Sequence, residues 1–89
     1  MSETVIVELY GIPRQRAGRA EVLLAAGTLA DVLARLGQVC PPLADVCQGD
    51  GRLNPHYLLA VDGTRFVGDM GLSLEPGSRL VLLSADVGG

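Results

Sequence analysis

The spacing of apolar residues along the chain predicts short strands around one helix. Residues 4–10 alternate so that Val5, Val7 and Leu9 share one face of a strand. Pro13 is expected to end this strand, because proline cannot donate to a sheet ladder. The predicted strands cover residues 4–10, 19–26, 57–61, 65–67 and 79–84, with a polar loop over 14–19 joining the first two.

A single amphipathic helix is predicted to begin at Thr28. Thr28 and Asp31 have the spacing of a capping box, in which the hydroxyl and the carboxylate satisfy free amides of the first turn. Gly37 is expected to end the helix and Pro41-Pro42 forbids its continuation, while a short helical turn fits residues 43–47. The apolar stripe of the helix consists of Leu29, Val32, Leu33 and Leu36.

The predicted order of elements is β-β-α-β-β-β. One helix packed on one face of a mixed sheet of four to five strands makes a two-layer α+β domain. At 89 residues the chain has room for one small core. We expect this domain over residues 1–84 and a mobile tail over residues 85–89, which lack a packing stripe.

Composition and charge exclude several classes of function. The chain has ten acidic residues, seven arginines and no lysine, which gives a net charge of −3. Without a basic run we expect no nucleic-acid partner and no anionic membrane surface as a partner. The apolar runs are far shorter than the roughly 20 residues that span a bilayer. The first residues lack the basic region that is typical of a signal peptide, so a cytoplasmic location is expected.

Few side chains suit metal binding or catalysis. Cys40, Cys47 and His56 fall short of the four ligands usual at a structural zinc site, and we expect no metal. The two cysteines are expected to be reduced and to fill apolar space. No arrangement of nucleophile and base is visible, so we do not expect an independent enzyme.

The chain ends in Gly88-Gly89, shortly after the last predicted strand. A terminal carboxylate is ionised at neutral pH and must be activated before it can react, for example as an acyl-adenylate in another protein's ATP site. Glycine has no Cβ, so it passes through a narrow channel. Five extended residues reach about 16 Å, enough to enter a cleft. The alternative is that the two glycines are only an unstructured end without function.

Several segments together resemble the MoaD/ThiS family of ubiquitin-like sulfur carriers. Each is weak alone, but their order and spacing cover nearly the whole chain. The resemblance implies a ubiquitin-like β-grasp fold. The segments are Val5 to Gly11, Thr28 to Leu33, Leu59 to Gly63, Glu75 to Ser84, and Gly88-Gly89.

The same resemblance implies a protein cosubstrate rather than an enzyme. An E1-like adenylyltransferase of the MoeB/ThiF type would use ATP and magnesium to adenylate Gly89, and a persulfide donor would then give a thiocarboxylate. The carrier itself would bind no cofactor. The long connection over 38–55 favours the molybdopterin branch, in which the tail enters the large subunit of the synthase. Thiazole, cysteine or siderophore synthesis, protein modification through Gly89, and a binding module with an inert tail stay open as alternatives.

The outward sides of the first and last strands predict a docking surface. If the helix covers the opposite sheet face, these strands leave apolar side chains exposed, and such surface usually marks an interface. The family docks through an apolar sheet patch near its tail, although Arg65 stands near a position where the family often has an apolar contact. The alternative is that some of these residues pack under loops. The predicted partner-binding residues are Ile6, Tyr10, Val81, Leu83, Asp86 and Val87.

Overall fold

The computed structural model describes residues 3–47, 52–62 and 65–85. Its secondary structure consists of five strands, two α-helices and one 3-10 helix within these ranges. In chain order the elements are β1 (Thr4–Leu9), α1 (Gly11–Ala17), β2 (Glu21–Ala25), α2 (Leu29–Val39), the 3-10 helix (Pro41–Val46), β3 (Tyr57–Val61), β4 (Arg65–Val67) and β5 (Arg79–Ser84).

All five strands form one mixed sheet in the order β2-β1-β5-β3-β4. β1 and β5 are parallel at its centre, with Ile6 opposite Arg79 and Leu9 opposite Leu82, while the other neighbours are antiparallel. The predicted α+β class and mixed sheet are confirmed. The predicted bounds of β3, β4 and β5 are confirmed too, whereas β1 and β2 are shorter than predicted.

The core lies between one face of the sheet and α2. Every second residue of β1 is buried, and the whole predicted stripe of α2 is buried against that face. Full burial of each such side chain contributes roughly 1.5–3 kcal/mol. The largest buried side chains include Leu9, Leu29, Leu33, Leu36, Leu43, Leu59, Leu80 and Leu82.

α2 begins with the predicted capping box. The Asp31 amide donates to the Thr28 hydroxyl at 3.2 Å, and the Thr28 amide donates to the Asp31 carboxylate, also at 3.2 Å. The hydrogen bonds from the Thr28 backbone and side chain lower the pKa of the Asp31 carboxyl. Both partners therefore satisfy amides that the first helical turn leaves free.

The prediction that Gly37 ends the helix is wrong, since α2 continues to Val39. A Cβ on Gly37 would lie 3.1 Å from the Cα of Ala44 in the 3-10 helix. The glycine therefore permits close approach of the two helices rather than a stop. Pro41 does end α2, and it opens the 3-10 helix that occupies most of the predicted turn over 43–47.

The polar loop predicted over residues 14–19 is also wrong over most of its length, because α1 occupies residues 11–17. Pro13 lies in the first turn of α1, where a helix needs no amide donor, and its ring is buried. Gly18 ends the helix with a left-handed φ of 71°, and its amide donates to the Arg14 carbonyl. This short helix sits at the sheet end where β1 and β5 finish.

Candidate functional site

The sheet face opposite α2, here called the open face, carries an apolar patch. Residues directly opposite each other in neighbouring strands point to the same face. Val81 is opposite Ala60, which in turn is opposite Phe66, and Leu83 is opposite Leu58. Phe66 is 69% exposed and Leu58 is 37% exposed, while Val81 and Leu83 are partly buried. We call Leu58, Phe66, Val81 and Leu83 the tail-side patch.

Only some of the predicted partner-binding residues lie in or beside this patch. Val81 and Leu83 lie in the tail-side patch, and Tyr10, 46% exposed, lies just beyond β1 beside the end of β5. Phe66 and Leu58 were missed. The strand predicted over residues 57–61 was a signal for Leu58, because side chains alternate between the two faces of a strand and Leu58 therefore points away from the face of Tyr57 and Leu59.

Ile6 does not belong to the tail-side patch. It is opposite Leu23 on one side and Arg79 on the other, while Glu8 is opposite Val81. Ile6 and Val81 are therefore diagonal neighbours across β1 and β5, and Glu8 and Arg79 are the other diagonal pair. Arg79 Nη1 donates to Glu8 Oε1 at 2.7 Å, so this ion pair separates Ile6 from the patch.

Tyr10 joins the same polar group. Its hydroxyl donates to Glu8 Oε2 at 2.7 Å. The hydrogen bond from Tyr10, and then that from Arg79, lowers the pKa of the Glu8 carboxyl, and the same contact raises the pKa of Tyr10. Glu21 is directly opposite Glu8, an unfavourable pairing of like charges that Arg79 offsets. The open face is therefore divided by a charged group that spans β1 and β5.

Ser84 and Ala85, here called the tail root, end the described chain. Ser84 is opposite Tyr57, and the Ala85 amide donates to the His56 carbonyl at 2.8 Å. The tail root thus leaves the sheet at the same end as the tail-side patch. The predicted functional residues Asp86, Val87, Gly88 and Gly89 lie outside the described residues.

Three polar side chains from separate elements meet behind the tail root. The Tyr57 hydroxyl donates to Asp45 Oδ1 at 2.7 Å and accepts from Arg16 Nη1 at 2.6 Å, and Arg16 Nη1 lies 3.3 Å from Asp45 Oδ2. Burial, and then the Asp45 carboxylate, raises the pKa of Tyr57 to about 12. A cleft of about 230 Å³ adjoins these groups, lined by Ile12, Arg16, Asp45, His56, Tyr57 and Ser84.

The cysteines form no disulfide. Cys40 is buried, and Cys47 is partly buried, which raises the pKa of its thiol. Over residues 3–47, 52–62 and 65–85, no group of three or more His, Cys, Asp or Glu side chains could hold a metal ion. In that same part of the chain, no helix combines the length and the apolar character needed to cross a membrane.

Neither protein-family models nor curated proteins gave a match to this chain. Solved structures do match it. The crystal structure of SAMP1 from Haloferax volcanii is 24% identical, with a TM-score of 0.82, over 97% of this chain and 99% of that one. The solution structure of small archaeal modifier protein 1 from Methanosarcina acetivorans is 23% identical, with a TM-score of 0.80, over 100% and 99%.

A third structure, described as a putative molybdopterin converting factor, subunit 1, from Pyrococcus furiosus, is 19% identical, with a TM-score of 0.75, over 93% and 98% of the two chains. The chain has a ubiquitin-like β-grasp fold. The fold predicted from the sequence is thereby confirmed along almost the whole length. In this β-grasp sheet, the tail-side patch and the tail root occupy the same end, so one partner can contact both.

Proposed function

We propose that the chain is a ubiquitin-like sulfur carrier that is activated at Gly89. The observation that carries the proposal is the location of the tail-side patch at the sheet end from which the tail root leaves. A partner that covers the patch also receives the residues that follow Ala85. Four extended residues reach about 14 Å from there, enough to bring Gly89 into a cleft of that partner.

The chemistry needs an E1-like adenylyltransferase that holds ATP and magnesium, because this chain supplies only the carboxylate. The Gly89 carboxylate would attack the α-phosphate of ATP and release pyrophosphate. The terminal sulfur of a persulfide would then displace AMP, and reduction of the resulting acyl disulfide by a thiol would leave a thiocarboxylate. The chain acts as a cosubstrate in this sequence and not as the catalyst.

The molybdopterin pathway is our first choice for the sulfur acceptor. The long connection predicted over 38–55 supports it, and one matching structure carries the description of a molybdopterin converting factor subunit. The partner in that case is the large subunit of molybdopterin synthase, in the cytoplasm. Sulfur delivery to thiazole, cysteine or siderophore synthesis is the alternative within the same chemistry.

A second candidate function is protein modification through Gly89. It is favoured by the matching structures described as small archaeal modifier proteins and as Urm1 from Trypanosoma brucei. Both candidates need the same activation of the terminal carboxylate. The chain has no lysine, so it offers no side-chain amine to accept another copy of itself.

Intact-mass measurement tests the proposal. The purified chain is incubated with an E1-like adenylyltransferase, ATP, magnesium and a persulfide donor, and we expect the mass increase of one exchange of oxygen for sulfur. A matched variant lacking Gly89 keeps every described residue and is expected to show no increase. The absence of thiocarboxylate and of adenylate on the unaltered chain, with activating enzymes of both the MoeB and the ThiF type, would overturn the sulfur-carrier proposal. Adducts on other proteins in place of sulfur transfer would favour the modifier.

A further inference from the structure

The group formed by Arg16, Asp45 and Tyr57, here called the tyrosine network, links three elements that are distant in sequence. Arg16 belongs to α1, Asp45 to the 3-10 helix and Tyr57 to β3. The Tyr57 residue is 3% exposed, and its hydroxyl makes both short hydrogen bonds, at 2.6 and 2.7 Å. A hydroxyl held by a cation and a carboxylate makes charge-assisted bonds, which are stronger than neutral ones.

The same place is reinforced by Asn54. Its side-chain amide donates to the Asp45 carbonyl at 2.9 Å, and its backbone amide donates to the Val46 carbonyl at 2.9 Å. Its side-chain oxygen accepts from the His56 amide, and its carbonyl accepts from the Tyr57 amide. Residues 54–57 are therefore fastened to the 3-10 helix through both backbone and side chains.

This fastened segment is the one that holds the tail root. His56 accepts the hydrogen bond from the Ala85 amide, and Tyr57 is opposite Ser84 in the sheet. We propose that Arg16, Asp45 and Tyr57 are positioning residues, which fix the point and direction at which the tail leaves the sheet. The proposal rests on the proposed activation of Gly89, because a fixed departure point matters only if the tail must reach a reacting group.

The physical reason lies in the number of residues between the last sheet contact and Gly89. If the Ala85 amide separates from His56, the last contact with the sheet moves back along the chain, and each residue released adds up to about 3.5 Å to the distance that Gly89 can reach. A longer connection between the sheet and Gly89 samples more positions, so the terminal carboxylate would spend less time near ATP. Leu58 and Leu83 of the tail-side patch pair with each other in the β3–β5 ladder, which does not include the Ala85–His56 hydrogen bond, so we expect the patch to keep its place. The loss should therefore appear in kcat of activation and not in KM.

Amide exchange measures the positioning directly. In Tyr57→Phe and in Arg16→Gln, we expect the Ala85 amide to exchange about fivefold faster than in the unaltered chain, which corresponds to the loss of one modest hydrogen bond. Tyr10→Phe is the matched control for exchange, since it removes a hydroxyl from the other tyrosine, whose partner is Glu8. Unchanged exchange of the Ala85 amide in both network variants would overturn the proposal.

Activation kinetics complete the test. With the E1-like enzyme we expect kcat in Tyr57→Phe to fall about tenfold at unchanged KM. Arg35→Gln is the matched control for Arg16→Gln, because Arg35 donates to the Ala25 carbonyl, away from the tail root, and should keep full kcat. Arg16→Lys, which keeps a cationic donor, should have a kcat between that of Arg16→Gln and that of the unaltered chain. Faster exchange with unchanged kcat would overturn the positioning role, whereas failure of the unaltered chain to be activated would overturn the proposed function itself.

Discussion

Glu8 and Arg79 are 71 positions apart in the chain, yet their side chains are joined by a 2.7 Å hydrogen bond. The bond links the two central strands, β1 and β5, on the open face. Glu8 also accepts a hydrogen bond from Tyr10, and these two contacts lower the pKa of the Glu8 carboxyl below its ordinary value of 4.5. The ion pair therefore makes part of the stability of the domain depend on pH.

A domain in which Glu8 is replaced should lose less stability in acid than the unaltered chain does. A lowered native pKa means that the stabilisation is present above the unfolded pKa and is lost as the pH falls through the native pKa. In Glu8→Gln we expect a shallower dependence of the urea midpoint on pH as the pH falls below about 5. Glu3→Gln, on an exposed acid outside the ion pair, is the control for the loss of one negative charge. An identical slope in Glu8→Gln would contradict the assignment.

Substitution of Phe66 should weaken partner binding and leave the fold intact. The side chain is 69% exposed, so its removal opens no core cavity, and its burial in a complex is worth roughly 1.5–3 kcal/mol. We expect Phe66→Ser to weaken binding of the activating enzyme at least about tenfold, as measured by calorimetry. Leu23→Ser is the matched control, because Leu23 is 63% exposed but lies beyond the Glu8–Arg79 pair. Equal losses for the two variants would argue against the tail-side patch as the docking surface.

Strong alkali should destabilise the domain through Tyr57. Burial and Asp45 raise the pKa of Tyr57 from 10.0 to about 12, so the folded state keeps the phenol protonated longer than the unfolded state does. The stabilisation is fully present below about pH 10 and is lost as the pH rises through about 12. We expect the urea midpoint to fall over this range in the unaltered chain and to fall less in Tyr57→Phe. A phenolate absorbance that develops entirely near pH 10 would contradict this.

The capping box of α2 offers a stability test. Thr28→Ala removes the hydroxyl that accepts the Asp31 amide and should lower the free energy of unfolding by about 1 kcal/mol. Thr28→Ser keeps the hydroxyl and should stay close to the unaltered chain. Urea denaturation of the three proteins provides the comparison, and equal stability of the alanine and serine variants would show that the Thr28 hydroxyl contributes nothing.

Replacement of Gly37 by alanine should not stabilise the domain, although this substitution usually stabilises a helix. An alanine in a helix interior is ordinarily more stable than glycine by about 1 kcal/mol. At Gly37, however, the new Cβ would lie 3.1 Å from a backbone atom of Ala44. We expect Gly37→Ala to lower the free energy of unfolding, measured by urea denaturation. Ala34→Gly, at an exposed site of the same helix, calibrates helix propensity, and a gain of that size in Gly37→Ala would contradict the close packing.

Local patterns were sufficient to predict most of the fold. β3, β4 and β5 have the predicted bounds because alternation and turn residues act over a few positions. The capping box of Thr28 was visible for the same reason. α1 was missed because its seven residues are too few to show a helical period, and Pro13 suits a first helical turn as well as a strand end.

The candidate site was harder to predict, because its geometry depends on how strands pair. Nothing in the sequence showed that Ile6 would face Arg79, so its separation from Val81 could not be seen. The tyrosine network joins Arg16 to Tyr57 across 41 positions and had no sequence signal at all. Short-range chemistry can be predicted from the sequence, whereas contacts between distant segments are set by topology.

The last strand of the chain occupies the middle of the sheet, between β1 and β3. β1 and β2 on one side and β3 and β4 on the other have no direct link through the sheet until β5 enters between them. During synthesis, these two pairs of strands therefore keep unpaired edges until residues 79–84 are made. A chain that ends before β5 would therefore lack the strand that joins the two halves of the sheet, and we expect it to fail to fold.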